Sequence, residues 1–176
     1  MFAVGRVRVG TTYRGGMEWR VRMAAVWAEA DRLSDAELVA RIDDLAAERP
    51  DDPLALFEQG GARDSTGDEA GAEQFYRAAL AAGLPESERS QCVIQLASTV
   101  RNLGRPEESL ELLRDEFTGR PDDELADAAV VFAALALVDL GRPVEATASL
   151  LHTLAPHLPR YQRSVRAYAD ALVAAD

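Results

Sequence analysis

The chain has no lysine: all 19 of its basic residues are arginine. Alanine, leucine and arginine dominate instead, which points to a GC-rich coding sequence more than to a selected property. Cys92 is the only cysteine, so a disulfide within the chain is excluded. A lone thiol fits a reducing compartment, and a cytoplasmic setting is expected. The longest uncharged apolar run, Ala128–Val138, is too short to cross a bilayer, and no membrane contact is expected. The basic N-terminus is not followed by the apolar stretch of a secretory signal. Also absent are GxxxxGK[ST], GxSxG, HExxH and GxGxxG, so no phosphate loop, nucleophile elbow, zinc helix or dinucleotide fingerprint is present.

Metal chemistry finds little support. His152 and His157 stand five apart with Pro156 between them, a poor ligand pair. Asp64-Ser65-Thr66-Gly67-Asp68 faintly resembles a calcium loop, but its glycine is misplaced and Phe75 stands where a bidentate glutamate would be needed. The acidic pairs Asp43-Asp44, Asp51-Asp52 and Asp122-Asp123 read as solvated helix-end and loop charges, and Cys92 as a small core residue. No metal and no cofactor is expected. Charge is unevenly spread: residues 1–22 hold five arginines against Glu18, while the remainder holds 14 arginines against 29 acids. A body that acidic repels phosphate backbones, so nucleic acid is not an expected partner.

What is present is a repeat. Asn102-Leu103-Gly104-Arg105-Pro106 returns as Asp139-Leu140-Gly141-Arg142-Pro143, and Thr66-Gly67-Asp68 is a weaker copy, with glycines 37 residues apart. Val93, Leu96, Ala97 and Val100 before the central turn, and Leu110, Leu112 and Leu113 after it, recur at helical spacing. Each unit is therefore a helical hairpin, with glycine closing the first helix and proline opening the second. Seven residues before each glycine stands a small residue (Gly60, Ala97, Ala134), and five after it another (Ala72, Ser109, Ala146). Small side chains there let the two helices approach closely. Nine after comes a larger one: Tyr76, Leu113, Leu150.

These positions, with Gln59-Gly60, Leu96-Ala97, Ala72…Tyr76…Ala79-Leu80 and Pro121, resemble the tetratricopeptide repeat pattern, most closely its group-5 variety, over residues 34 to 173. The departures are Leu56, Val93 and Val130 in place of the opening tryptophan, Glu116 and Thr153 in place of the late alanine, and a period about three residues longer than the usual 34. The resemblance implies an all-α fold: a right-handed superhelical stack of antiparallel helix hairpins, with about three repeats plus capping helices.

Taken in order, residues 1–16 read as a disordered arm, with a basic tail docking on the acidic body as the rival reading. A helix from about Met17 carries Trp19, Met23, Val26 and Trp27, and Ser34 with Glu37 forms a capping box for the next. These two make a degenerate capping hairpin (17–50), and the tryptophans read as core. Repeats follow at 53–86, 90–123 and 127–158, then a C-terminal capping helix at 160–173. In the third repeat the first helix is apolar nearly all round. Tyr161, Val165, Tyr168 and Leu172 of the last helix are expected to cover part of it, leaving a strip of Val131, Phe132, Leu135 and Val138 facing the groove.

Family geometry implies a ligand-binding groove on the inner face formed by Phe57, Gly61, Asp64, Gln91, Gln95, Ser98, Arg101, Asn102, Phe132, Leu135 and Asp139. The carboxylate clamp of chaperone-binding relatives is not carried over, because Phe57, Gly61, Gln95, Ala128 and Phe132 occupy its positions. Gly61 is either a close-approach point for a partner or a merely tolerated glycine. Asp64 and Arg101 occupy equivalent places in successive helices; they either contact an extended peptide or pair with each other. The expected function is a non-catalytic scaffold that binds a protein or peptide segment. The alternatives are a homodimer formed through the apolar strip and, less favoured, a small enzyme using groove acids and Arg101, for which no nucleophile–base pair is discernible.

Overall fold

The computed structural model describes residues 11–174, with side chains from Met17 onward. Among the described residues there is no strand. The chain runs as α1 (Thr11–Ala28), α2 (Asp35–Ala46), α3 (Pro53–Ser65), α4 (Glu69–Ala81), α5 (Glu86–Asn102), α6 (Pro106–Phe117), α7 (Ala126–Asp139), α8 (Pro143–Leu154) and α9 (Gln162–Ala174). Short 3-10 turns follow α1 and α8. Among the described residues, no helix is long and apolar enough to cross a membrane. Of the arm expected over residues 1–16, the first ten lie outside the described residues, and the backbone of 11–16 forms the start of α1.

The hairpin boundaries follow from local chemistry. Ser34 accepts from the Glu37 backbone while the Glu37 carboxylate accepts from Ser34 N, so the capping box is present. Pro53, Pro106 and Pro143 open α3, α6 and α8. The turns at Gly67, Gly104 and Gly141 all place glycine in the left-handed region (φ 82°, 82° and 74°), where a β-carbon is strained. Asp52 and Asp68 cap α3 and α4 with their side chains.

Each helix packs on the next, and α3 also touches α5, and α5 touches α7. The first helices of the three hairpins thus lie side by side and make the inner face, with the second helices behind them. The small positions sit at the contacts: Ala97, Ala134, Ala72, Ser109 and Ala146 are buried, and so is Gly60. The core is built in sections along the stack. Trp19, Met23, Leu38 and Ile42 close the leading hairpin, and Phe57, Tyr76, Cys92 and Leu96 join the first two repeats. Ile94, Leu113 and Ala129 continue into the third.

One expectation is corrected here. The last helix docks on α8 and the turn before it, not on α7. Tyr161, just before it, and its Tyr168 are exposed, while Ala169 is its buried anchor. Glu116, in the place of the family's late alanine, is buried between α5 and α6. There it is held by Arg89 at 2.9 Å and by Arg120. Arginine's forked head makes this geometry possible, since one guanidinium can hold Glu116 and reach Asp123 at once.

Candidate functional site

Between α1, α3 and α5 lies a cavity of about 550 Å³, within the usual range of small-ligand sites of about 300–1,000 Å³. Five of the residues placed in the groove by the sequence line it: Phe57, Gly61, Asp64, Gln91 and Gln95. Phe57 is almost wholly buried, its ring 6.1 Å from that of Tyr76, so it forms the cavity floor and belongs to the core as well. Gly61 faces Trp27: a β-carbon there would stand 3.4 Å from the indole Cζ2. An alanine there would meet the tryptophan of the leading hairpin at ordinary contact distance.

Four cavity residues, Trp27, Glu58, Ser65 and Glu88, were not among the sequence candidates. Trp27 was read as core, but it is only half-buried; its Nε1–H donates to Glu58 Oε2 at 2.6 Å, and both line the cavity. Glu88 stands at the start of α5, where Arg20 of α1 bonds it at 2.8 Å. A signal for Glu58 existed, because it precedes Gly61 by three and so shares its helical face. Glu88 carried the same signal, preceding Gln91 by three on α5, whereas Trp27 had none, since its arrival depends on how α1 folds over α3.

The Asp64–Arg101 pair, one of the two sequence alternatives, is not formed. Asp64 makes no contact with Arg101. It accepts from the Tyr76 hydroxyl at 3.1 Å and, more weakly, from Thr99 Oγ1 at 3.4 Å. Arg101 instead donates to Asp139 of the next hairpin at 3.1 Å and to Asn102 Oδ1 at 3.1 Å, and Asn102 reaches back to Glu69 at 2.8 Å. The physical reason is reach: Asp64 is drawn inward by two core hydroxyls, while Arg101 spans outward to an exposed carboxylate. These residues form a polar ladder across three hairpins, from Glu69 through Asn102 and Arg101 to Asp139. Ser98 is half-buried on the same helix.

Burial governs the electrostatics of the cavity. Desolvation pushes the Glu58 carboxyl above its ordinary range despite the bond from Trp27, with Arg20 opposing and Glu88 adding to the rise. Desolvation likewise pushes Asp64 up against the bonds from Tyr76 and Thr99. The Tyr76 hydroxyl is raised by burial and then by the Asp64 charge, so it stays protonated and donates. Gln95 Oε1 is shielded from solvent and accepts no hydrogen bond among the described residues.

Farther along the inner face, the α7 strip divides. Val131, Leu135 and Val138 are 45%, 42% and 52% exposed, whereas Phe132 is half-buried against the core of the second and third repeats. Beside it, Val131, Leu150 and Leu154 line a mainly apolar depression of about 410 Å³. Among the described residues, no group of three or more His, Cys, Asp or Glu side chains is placed to hold a metal. Cys92 is fully buried, and its thiol is pushed up to about 12 by burial.

The sequence profile of the family described as Tetratrico peptide repeat matches residues 53–172, from the first residue of α3 into α9. No curated protein matches the chain.

Proposed function

Because the chain belongs to the Tetratrico peptide repeat family, whose stacks generally serve protein–protein interaction without chemistry of their own, we propose that its inner face holds an extended segment of a partner protein in the cytoplasm. The observation that carries this reading is the open strip of Val131, Leu135 and Val138, which no part of the described chain covers. Apolar side chains left in water on an inner helix favour a docked surface, because each one removed from solvent is worth about 25 cal/mol per Å² of apolar area. Next to it, the ladder of Asn102, Arg101 and Asp139 offers donors and acceptors to a peptide backbone.

The test is a display library of random peptides selected on the whole protein. Binding of the enriched peptides would then be titrated against the parent and Leu135→Glu. The reading expects a common sequence pattern among the enriched peptides and at least about a tenfold loss with the variant. Peptides that bind both proteins equally would remove the strip from the site. Light scattering of the unliganded protein separates the rival: a dimer that Leu135→Glu dissolves would assign the strip to self-association.

A further inference from the structure

The cavity at the other end of the inner face has a different chemistry from the strip. Its lining holds three carboxylates, Glu58, Asp64 and Glu88, and no cationic side chain. Among the described residues, one cation from outside the lining, Arg20, bonds any of them; it takes Glu88 and is itself half-exposed. Glu58 Oε1 accepts no hydrogen bond among the described residues, since Trp27 occupies the other oxygen. Gln95 also belongs to the lining, its Oε1 shielded from solvent and unpartnered among the described residues. The walls are aromatic: the half-buried Trp27 indole and the Phe57 ring face the same space.

From this arrangement we infer that the cavity is an anchor for a basic side chain, arginine before lysine, on the segment held by the inner face. Acceptors here outnumber donors, so an occupant must bring hydrogens. A planar guanidinium brings five, in a fork that matches a carboxylate, and its face stacks on an indole. An acidic or phosphorylated side chain would meet three like charges, and an aliphatic one would leave the acceptors buried without partners. Burial, against the opposing charge of Arg20 at Glu58, also holds Glu58 and Asp64 above their ordinary range, and a bound cation would relieve it.

This inference rests on the peptide-binding reading, and its test separates the two. The probes are the blocked tripeptides Ac-Gly-Arg-Gly-amide and Ac-Gly-citrulline-Gly-amide, the second a neutral isostere. Each would be titrated into the ¹⁵N-labelled whole protein while the Trp27 indole N–H, the Gln95 side-chain amide and the Leu135 backbone amide are followed. The inference expects saturable shifts at Trp27 and Gln95 with the arginine peptide, and about tenfold or weaker binding of the citrulline one. Glu58→Gln, which keeps an acceptor for Trp27, and Asp64→Asn should each weaken the arginine peptide by a similar factor. Equal binding of both peptides, or unchanged affinity in both variants, would overturn it. If neither tripeptide shifts Trp27 or Gln95 while library peptides still shift Leu135, the anchor falls and the groove stands. If the library peptides shift nothing either, both fall.

Discussion

Gly60 lies directly beneath the ring of Tyr76: a β-carbon on it would come within 2.6 Å of the tyrosine Cδ1. The two residues sit on facing helices of one hairpin, and Tyr76 is fully buried. The ring is therefore admitted only because the opposing helix has no side chain there.

Neighbouring glycines should consequently respond with opposite signs. Gly60→Ala forces the buried ring to shift and is expected to destabilise by about 1–3 kcal/mol, the usual cost of overpacking. Gly61→Ala meets only an ordinary contact, 3.4 Å from Trp27, and is expected to gain up to about 1 kcal/mol from helix propensity. Urea melts of the two variants check this, and a stabilised Gly60→Ala would sink the close-contact account.

Much of this fold was legible because its rules are local. The 37-residue spacing, the left-handed glycines, the N1 prolines and the small contact positions each depend on a few adjacent residues. Partner choice across hairpins was not legible. Whether Arg101 meets Asp64 or Asp139 depends on the twist between hairpins, which the repeat pattern leaves open. The same holds for Trp27, delivered to the cavity by the leading hairpin, and for Tyr161 and Tyr168 at the last helix, whose spacing suggested a buried face that the docking geometry turned outward.

Arg101→Ala removes a contact with an exposed carboxylate. The Arg101–Asp139 pair, with side chains 21% and 45% exposed, should be worth about 0–1 kcal/mol. A denaturant melt is expected to show a loss within that range. A loss of about 3 kcal/mol would mean that the arginine holds the hairpins together through its buried Nε and stem.

Leu135→Glu places a charge at a site that is 42% exposed, so its stability effect should stay within about 0.5 kcal/mol. Circular dichroism melts check this alongside the peptide titrations. Unfolding at room temperature would show that the strip is covered in the native molecule.

The Cys92 thiol should be inert in the folded protein. It is fully buried and pushed up to about 12, leaving almost no thiolate at neutral pH. Labelling with a thiol-specific disulfide reagent is expected to proceed only through opening of the repeats, so its rate should rise with urea in step with unfolding. Rapid labelling in native buffer would contradict the placement.

Acid should act with two signs. Glu58 and Asp64, raised by burial, hold a proton more tightly folded than unfolded. They therefore cost stability while charged, and this cost fades as pH falls through their folded pKa values. Glu73, lowered first by its bond from Arg105, and Asp123, lowered first by its bond from Ser90, contribute stability above the ordinary carboxylate value. That contribution is lost as pH drops through their lowered values. Glu58→Gln should thus melt higher than the parent at neutral pH, and the gap should close toward about pH 4, the ordinary carboxylate value. Arg20 and Glu88 face Glu58 from α1 and α5, and their opposed charges leave this sign unchanged. A gap constant across the pH range would refute the burial account.

The large residue that follows each turn glycine by nine is progressively less enclosed along the stack: Tyr76 is 0% exposed, Leu113 3% and Leu150 38%. In a quasi-one-dimensional array each hairpin is held by its neighbours, so unequal seams let the chain open from its loosest end. Amide hydrogens of α8 and α9 should exchange earlier than those of α4, while the aromatic end stays closed. A segment that spans the face would then bind a firm end and a fraying one together. Its grip would be felt as slowed exchange in the terminal helices, with no change in the shape of the rest.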